Sequence, residues 1–177
     1  MQLEAQADLK KQIREIADFP KKGILFRDIT PLLLDPESLQ KCVDIFYEKL
    51  PHKNIDKVIG IESRGFFFSI LLAQKLNAGF VPVRKKGKLP YHKVEVEYQL
   101  EYGSDILEMH SDAIQPGDKV LVHDDVLATG GTMQAVCQML DTLGAEIVQC
   151  NFLIELDALK GRERLDDYPI YSMLHYL

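Results

Sequence analysis

The chain has 177 residues, enough for one domain with a full core and too few for two domains of ordinary size. Hydrophobic residues make up 46% and charged residues 27%, the balance of a soluble globular protein and not that of a disordered or membrane-spanning one. A formal net charge of −6 argues against a dedicated nucleic-acid binder, whose surface must attract polyanions.

Leu9, Ile13 and Ile16 recur at helical spacing, which predicts an amphipathic first helix closed by the Phe19-Pro20 step. Residues 1–11 are polar and contain no apolar stretch of the kind a leader needs, and no run reaches the roughly 20 apolar residues of a membrane span. Cys42, Cys137 and Cys150 are odd in number, far apart and free of C-x-x-C spacing, as expected of buried free thiols in a reducing compartment. A cytoplasmic setting with no membrane partner is therefore expected.

Residues 21–36 read as a loop, after which Asp35 offers an N-cap and Pro36 a first helical position for a helix running to about Leu50. From Lys57 the grammar becomes βαβ: a strand at 58–61, a helix at 66–76, a strand at 80–83. Val94, Val96, Tyr98, Leu100 and Tyr102 alternate with polar residues, as in an antiparallel or edge strand. Pro116-Gly117-Asp118 turns the chain into a buried-type strand at 119–123. A helix follows at 131–143 with Gly144 at its C′ position, then strands at 147–154 and 170–174. With no repeat or linker, the expectation is one α/β domain over 1–177 with a mainly parallel sheet flanked by helices. Its N-terminal extension is expected to fold over the ligand-binding edge of the sheet.

The chemistry concentrates where the strand ending at His123 meets Asp124-Asp125, Val126-Leu127 and then Ala128-Thr129-Gly130-Gly131-Thr132 at a helix start. A small, Gly-rich loop between a parallel strand and a helix lets backbone N–H groups converge on an anion, and the helix N-terminus adds partial positive charge. Thr129 and Thr132 supply hydroxyl donors, while Gly130 and Gly131 permit close approach. Neither the P-loop order nor G-x-G-x-x-G is present, so a phosphate monoester fits better than a nucleoside triphosphate or a dinucleotide. Two adjacent carboxylates just before the loop suit the vicinal hydroxyls of a ribose, or a divalent cation held through water; the alternative is a pair that caps a turn. The basic run Arg84-Lys85-Lys86-Gly87-Lys88 stands apart from the acidic background and suits a further anionic group, its alternative being a solvated charge run.

These residues resemble the phosphoribosyl pyrophosphate signature of type I phosphoribosyltransferases, and Leu-Ala-Thr-Gly-Gly-Thr is the form of the adenine-specific members. Four more segments match that branch in order: residues 23–30, Glu62-Ser63-Arg64-Gly65-Phe66, residues 84–90 and Leu100-Glu101-Tyr102-Gly103. Residues 156–162 match as well, so the resemblance spans about residues 19–164. His123 and Ser69 depart from the pattern, the family usually having an apolar residue and a glycine there; His123 is read as a packed or partly exposed strand histidine and not as a catalyst.

The resemblance implies the type I phosphoribosyltransferase fold, with an N-terminal hood over 1–35 and a flexible flap over 84–110. It implies transfer of phosphoribose from phosphoribosyl pyrophosphate to adenine with Mg²⁺, giving AMP and pyrophosphate, in a homodimer without nucleic-acid partners. By residue, it implies that Asp124, Asp125, Ala128, Thr129, Gly130, Gly131 and Thr132 bind the ribose phosphate, and that Arg64, Arg84, Lys85 and Lys88 bind pyrophosphate. Leu25, Phe26, Arg27 and Leu156 are implied adenine contacts, and Glu101 the acid/base on the flap. Magnesium would be carried mainly by the substrate, with Asp124 reaching it through water. Rival readings are a phosphoribosyltransferase for another base, a regulator that senses phosphoribosyl pyrophosphate, and an enzyme using the same nest for a different phosphate ester.

Overall fold

In a computed structural model, which describes residues 2–99 and 104–177, the chain divides into two compact units, Met1–Ile45 and Phe46–Leu177. In the first unit, helix α1 (Gln2–Lys11) stops before the expected Phe19. Ile16 belongs instead to strand β1 (Arg14–Ala17), which pairs antiparallel with β2 (Leu25–Asp28) and places Ile16 opposite Phe26. Three apolar residues at helical spacing are a weak signal, and a ladder with a partner strand overrides it. The expected loop at 21–36 likewise contains β2 and a short helix α2 (Thr30–Leu34), whose Pro31 sits in the first turn where its missing N–H costs nothing. Helix α3 (Pro36–Lys49) begins as expected, with Ser38 N–H donating to Asp35 Oδ2 at 3.1 Å.

The second unit holds a seven-stranded sheet of β3 (Lys57–Ile61), β4 (Gly79–Lys85), β5 (Lys93–Gln99), β6 (Ser104–His110), β7 (Lys119–Leu127), β8 (Glu146–Leu156) and β9 (Ile170–Tyr176), in the order β5-β6-β4-β3-β7-β8-β9. The strands from β4 to β9 run parallel, while β6 is antiparallel to β4 and β5, and β5 lies at the edge as its alternation predicts. Strand β6 has no counterpart among the expected elements. Its pattern is broken by Glu108, which is fully buried and accepts from Gly87 N–H at 2.9 Å and Lys93 Nζ at 2.6 Å. Strand β7 also runs beyond its expected end at His123, because β8 pairs with it as far as Leu127 opposite Glu155.

Helices α4 (Gly65–Leu76) and α5 (Gly131–Thr142) cover opposite faces of this sheet. Val120 and Val122 pack with the buried side of α5, whereas His123 meets Phe68 of α4 with ring centroids 5.7 Å apart; along a strand, neighbouring side chains point to opposite faces. Gly144 closes the end of α5 at φ +77, as expected. From β3 the chain crosses through α4 to β4 on one side, and from β7 through α5 to β8 on the other. The strand order therefore reverses between β3 and β7, and the carboxyl ends of these two strands open a crevice, the usual ligand position in such sheets.

Candidate active site

Strand β7 delivers Asp124 and Asp125 to that crevice and then releases the chain into the loop at 128–132. Gly130 occupies the N-cap of α5 with φ +80, a left-handed conformation natural to glycine, and so aims the first N–H groups of the helix at the loop's interior. A recess lined by Ala128, Thr129, Gly130, Gly131 and Thr132 lies there, with Asp124 on its rim. It adjoins a cavity of about 400 Å³, within the range of small-molecule sites, lined by Glu62, Ser63, Arg64, Lys85, Tyr98, Asp124, Asp125, Ala128 and Thr132. The acid pair, Ala128 and Thr132 thus share one cavity with the two expected cations Arg64 and Lys85, and the rest of the loop lines the adjoining recess.

Asp125 is 3% exposed, and its N–H donates to Asp124 Oδ1 at 2.9 Å. Enclosure and the neighbouring carboxylate raise the Asp124 carboxyl well above its ordinary range; enclosure also raises Asp125, with the Arg64 guanidinium pulling the other way. Arg64 Nε stands 2.9 Å from Asp125 Oδ2. This arrangement favours a ligand that brings hydrogen-bond donors or positive charge to the acid pair. Arg64 follows a cis peptide between Glu62 and Ser63 and occupies the N-cap position of α4 without a side-chain capping bond. The next residue must be small: a Cβ on Gly65 would stand 3.0 Å from both Asp124 Oδ1 and the His123 carbonyl oxygen.

The basic run keeps its lysine side chains about half exposed, yet part of it is engaged by carboxylates. Lys88 Nζ and Arg84 Nε (3.3 Å) both contact Glu62, whose side chain is 7% exposed, and the Lys85 N–H donates to it at 3.0 Å. Burial opposes the charge on Glu62, but these partners outweigh it and hold its carboxyl down to about 2. Arg84 and Lys88 are therefore joined to the cavity through Glu62 and do not line it. Lys85 Nζ sits 3.3 Å from Asp105 Oδ2.

Three contributors escaped the sequence reading. Glu62 lies in a segment that matches the family but carries no implied role; Asp105 lies on the unexpected strand β6. By sequence Tyr98 is only an alternating strand residue, yet its phenol reaches Thr132 of the loop and Asp105 Oδ2 at 3.5 Å. The basic run itself is the available signal, since cations gathered closely are stabilised by a carboxylate among them. Of the two placements expected for His123, packed or partly exposed, the structure has the packed one: it is fully buried, its Nδ1–H donates to Asn151 Oδ1 at 2.5 Å, and burial depresses its pKa to about 4, with the Asn151 bond opposing.

Glu101 lies outside the described residues. Leu25, Phe26 and Arg27 belong to the first unit, where the Phe26 ring meets Phe19 edge-on at 5.1 Å and Arg27 forms an ion pair with Glu15. Leu156 ends β8, partly buried. Among the described residues, one cluster has its potential ligand atoms close enough to hold a metal ion: Glu155, Asp157 and His175. Its Glu155 is already engaged by Arg162, with contacts of 3.1 and 2.6 Å.

A sheet with this switch point, an acid pair and a helix-start anion nest defines a phosphoribosyl-binding α/β protein, and residues 30–175 match the phosphoribosyl transferase domain. The chain belongs to the phosphoribosyltransferase family, and its similar relatives are adenine phosphoribosyltransferases. It is 61% identical over 169 residues to that of Christiangramia forsetii, covering 96% of this chain and 99% of the relative. The crystal structure of adenine phosphoribosyltransferase from Rhodothermus marinus superposes with TM-score 0.94 at 52% identity, covering 98% and 99% of the two chains. That from Saccharomyces cerevisiae, complexed with an imino-altritol bisphosphate and adenine, gives 0.92 at 41% identity, covering 97% and 99%.

Proposed function

We propose that the protein transfers the 5-phosphoribosyl group from phosphoribosyl pyrophosphate to adenine, giving AMP and pyrophosphate. One observation carries the reading: the acid pair Asp124-Asp125 lines the same cavity as Arg64 and Lys85, and the anion nest at 128–132 adjoins it through Ala128 and Thr132, so a ribose 5-phosphate and a second anionic group fit side by side. The choice of adenine rests on the relatives, among them the yeast enzyme complexed with that base.

In this reading the backbone N–H groups at 129–132 and the Thr129 and Thr132 hydroxyls hold the 5-phosphate, and Asp124 and Asp125 accept hydrogen bonds from the ribose hydroxyls. Arg64 and Lys85 face the leaving pyrophosphate, with Arg84 and Lys88 brought to it from their places on Glu62. Holding both reactants in line while charge separates at the anomeric carbon supplies most of the acceleration. Leu25, Phe26, Arg27 and Leu156 serve as adenine contacts. The flap over 84–110, which includes the β5–β6 hairpin, closes to exclude water, and Glu101 acts on the base as acid/base. The hood comprises residues 1–35.

Magnesium fits this site and not the Glu155 cluster. An acid pair whose charge is costly when enclosed offers the hard oxygen donors this ion prefers, whereas Glu155 is taken by Arg162. When bound with the substrate, the ion would offset charge on the pyrophosphate, and Asp124 would reach it through water.

The homodimer reading draws on α4, where Phe67 is 46% and Ile70 52% exposed directly after the Arg64 loop, an apolar face suited to a second copy. The cytoplasmic reading draws on the three free cysteines, all buried. No described helix is long and apolar enough to cross a membrane.

The test is pyrophosphate release with phosphoribosyl pyrophosphate and magnesium, offering adenine, guanine, hypoxanthine and orotate separately. Release with adenine alone is expected. Release with another base overturns the base assignment, and silence with all four overturns the transferase reading.

A further inference from the structure

Two short 3₁₀ turns, Asp157–Leu159 and Gly161–Leu165, follow β8 and take no part in the chemistry above. They nonetheless form the wall behind the phosphate loop. A Cβ on Gly161 would collide with the Ala128 carbonyl oxygen and come within 2.9 Å of Leu127 Cδ1, and a Cβ on Gly130 would collide with the Gly161 carbonyl oxygen. Loop and wall therefore touch backbone to backbone, at the two residues that flank Thr129. Such a contact transmits displacement with little give, because no flexible side chain lies between to absorb it.

The wall is held at three points. Arg162, next to Gly161, donates from Nε to Glu155 Oε1 at 3.1 Å and from Nη2 to Glu155 Oε2 at 2.6 Å, with Nη2 also 3.4 Å from Ser172 Oγ. Gln134 on α5 donates to the Arg164 carbonyl at 3.2 Å, and Leu165 is fully buried in the core. Glu155 is 5% exposed; burial opposes its charge, but Arg162 and Ser172 outweigh that and keep its carboxyl below the usual range. Only the Glu155 side of this pair is buried, the Arg162 side chain being 43% exposed, so the pair adds little net stability and its use is to fix one arrangement over another.

We propose that Arg162, clasped by Glu155, is a positioning residue for the phosphate loop: it fixes the wall at Gly161, which abuts Ala128 and Gly130, so that the N–H groups at 129–132 stay aimed at the 5-phosphate. The inference rests on reading 128–132 as the phosphate loop. Arg162 touches no substrate in this scheme, and its influence passes through the Gly161 backbone.

The experiment measures, by calorimetry with magnesium, binding of ribose 5-phosphate and separately of pyrophosphate to wild type, Gly161→Ala, the charge-free double variant Glu155→Gln/Arg162→Met, and the triple combination. Thermal melts identify the folded variants. Gly161→Ala should weaken ribose 5-phosphate about tenfold, the loss of roughly one well-aligned bond to a charged group, while pyrophosphate stays within about twofold. In the double-variant background the released wall yields in place of the loop, so the same Gly161→Ala change should cost less than about threefold; this non-additivity is absent if the pair only stabilises the fold. A folded Gly161→Ala that binds ribose 5-phosphate like wild type overturns the proposal, as does equal weakening of both ligands or full additivity. If Gly161→Ala does not fold, the double variant alone decides, selective loss of ribose 5-phosphate binding supporting the brace and unchanged binding overturning it. Thr132→Ala separates the two layers. If it leaves ribose 5-phosphate affinity intact, the loop reading itself fails; if it weakens binding while the wall variants do not, only the brace fails.

Discussion

His123 should make the protein lose stability on the acid side of neutrality. The ring is wedged between Phe46 and Phe68, at centroid distances of 5.1 and 5.7 Å, and burial lowers its pKa from 6.5 to about 4. Above pH 6.5 both folded and unfolded chains carry it neutral, and it contributes no pH dependence. Between about pH 6.5 and 4 the unfolded chain takes up a proton that the folded chain refuses, so stability falls by at most about 1.4 kcal/mol per unit. The accumulated loss is about 2 kcal/mol at pH 5 and roughly 3 kcal/mol at pH 4. Urea unfolding at pH 7 and pH 5 on wild type and His123→Phe isolates this contribution. The variant leaves Asn151 Oδ1 without its donor and should be less stable at pH 7 by about 1–3 kcal/mol, so only the difference between the two pH values is diagnostic. Wild type should lose about 2 kcal/mol more than the variant on going to pH 5. Parallel losses in the two proteins would refute the argument that this ring is held neutral by burial.

Glu101→Gln should lower kcat by about 10²–10⁴-fold with KM for phosphoribosyl pyrophosphate nearly unchanged, and unaltered turnover sinks the acid/base role. Gly65→Ala places a methyl 3.0 Å from Asp124 Oδ1; overpacking of this kind costs about 1–3 kcal/mol, and it should appear as a raised KM for phosphoribosyl pyrophosphate in steady-state kinetics. Tyr98→Phe removes the hydroxyl that joins β5 to Thr132 and should raise the same KM by about three- to tenfold, whereas a change in Tm alone would make the phenol a packing group. Phe67→Glu with Ile70→Glu should convert a wild-type dimer to monomer in sedimentation velocity, and an intact dimer would place the interface elsewhere.

The sequence alone determined the parts whose chemistry is local. The run from Val120 to Thr132 specifies a buried strand, an acid pair and a helix-start nest through residue types at adjacent positions, and Asp35-Pro36 and Gly144 mark helix ends by the backbone geometry that they satisfy. It misjudged Ile16 because three apolar residues cannot reveal that a partner strand is available at Leu25–Asp28. It overlooked β6 because a charged residue looks exposed until its cation, Lys93, is brought to it from the neighbouring strand. Only the tertiary structure decided that Glu62 gathers Arg84 and Lys88 from 22 and 26 positions away, that Tyr98 reaches Thr132, and that Gly161 abuts the loop at Ala128 and Gly130. Contacts of this kind carry no periodicity and no fixed spacing. They arise when the order β6-β4-β3-β7-β8 lays distant strand ends side by side, and that order follows from the packing of whole elements.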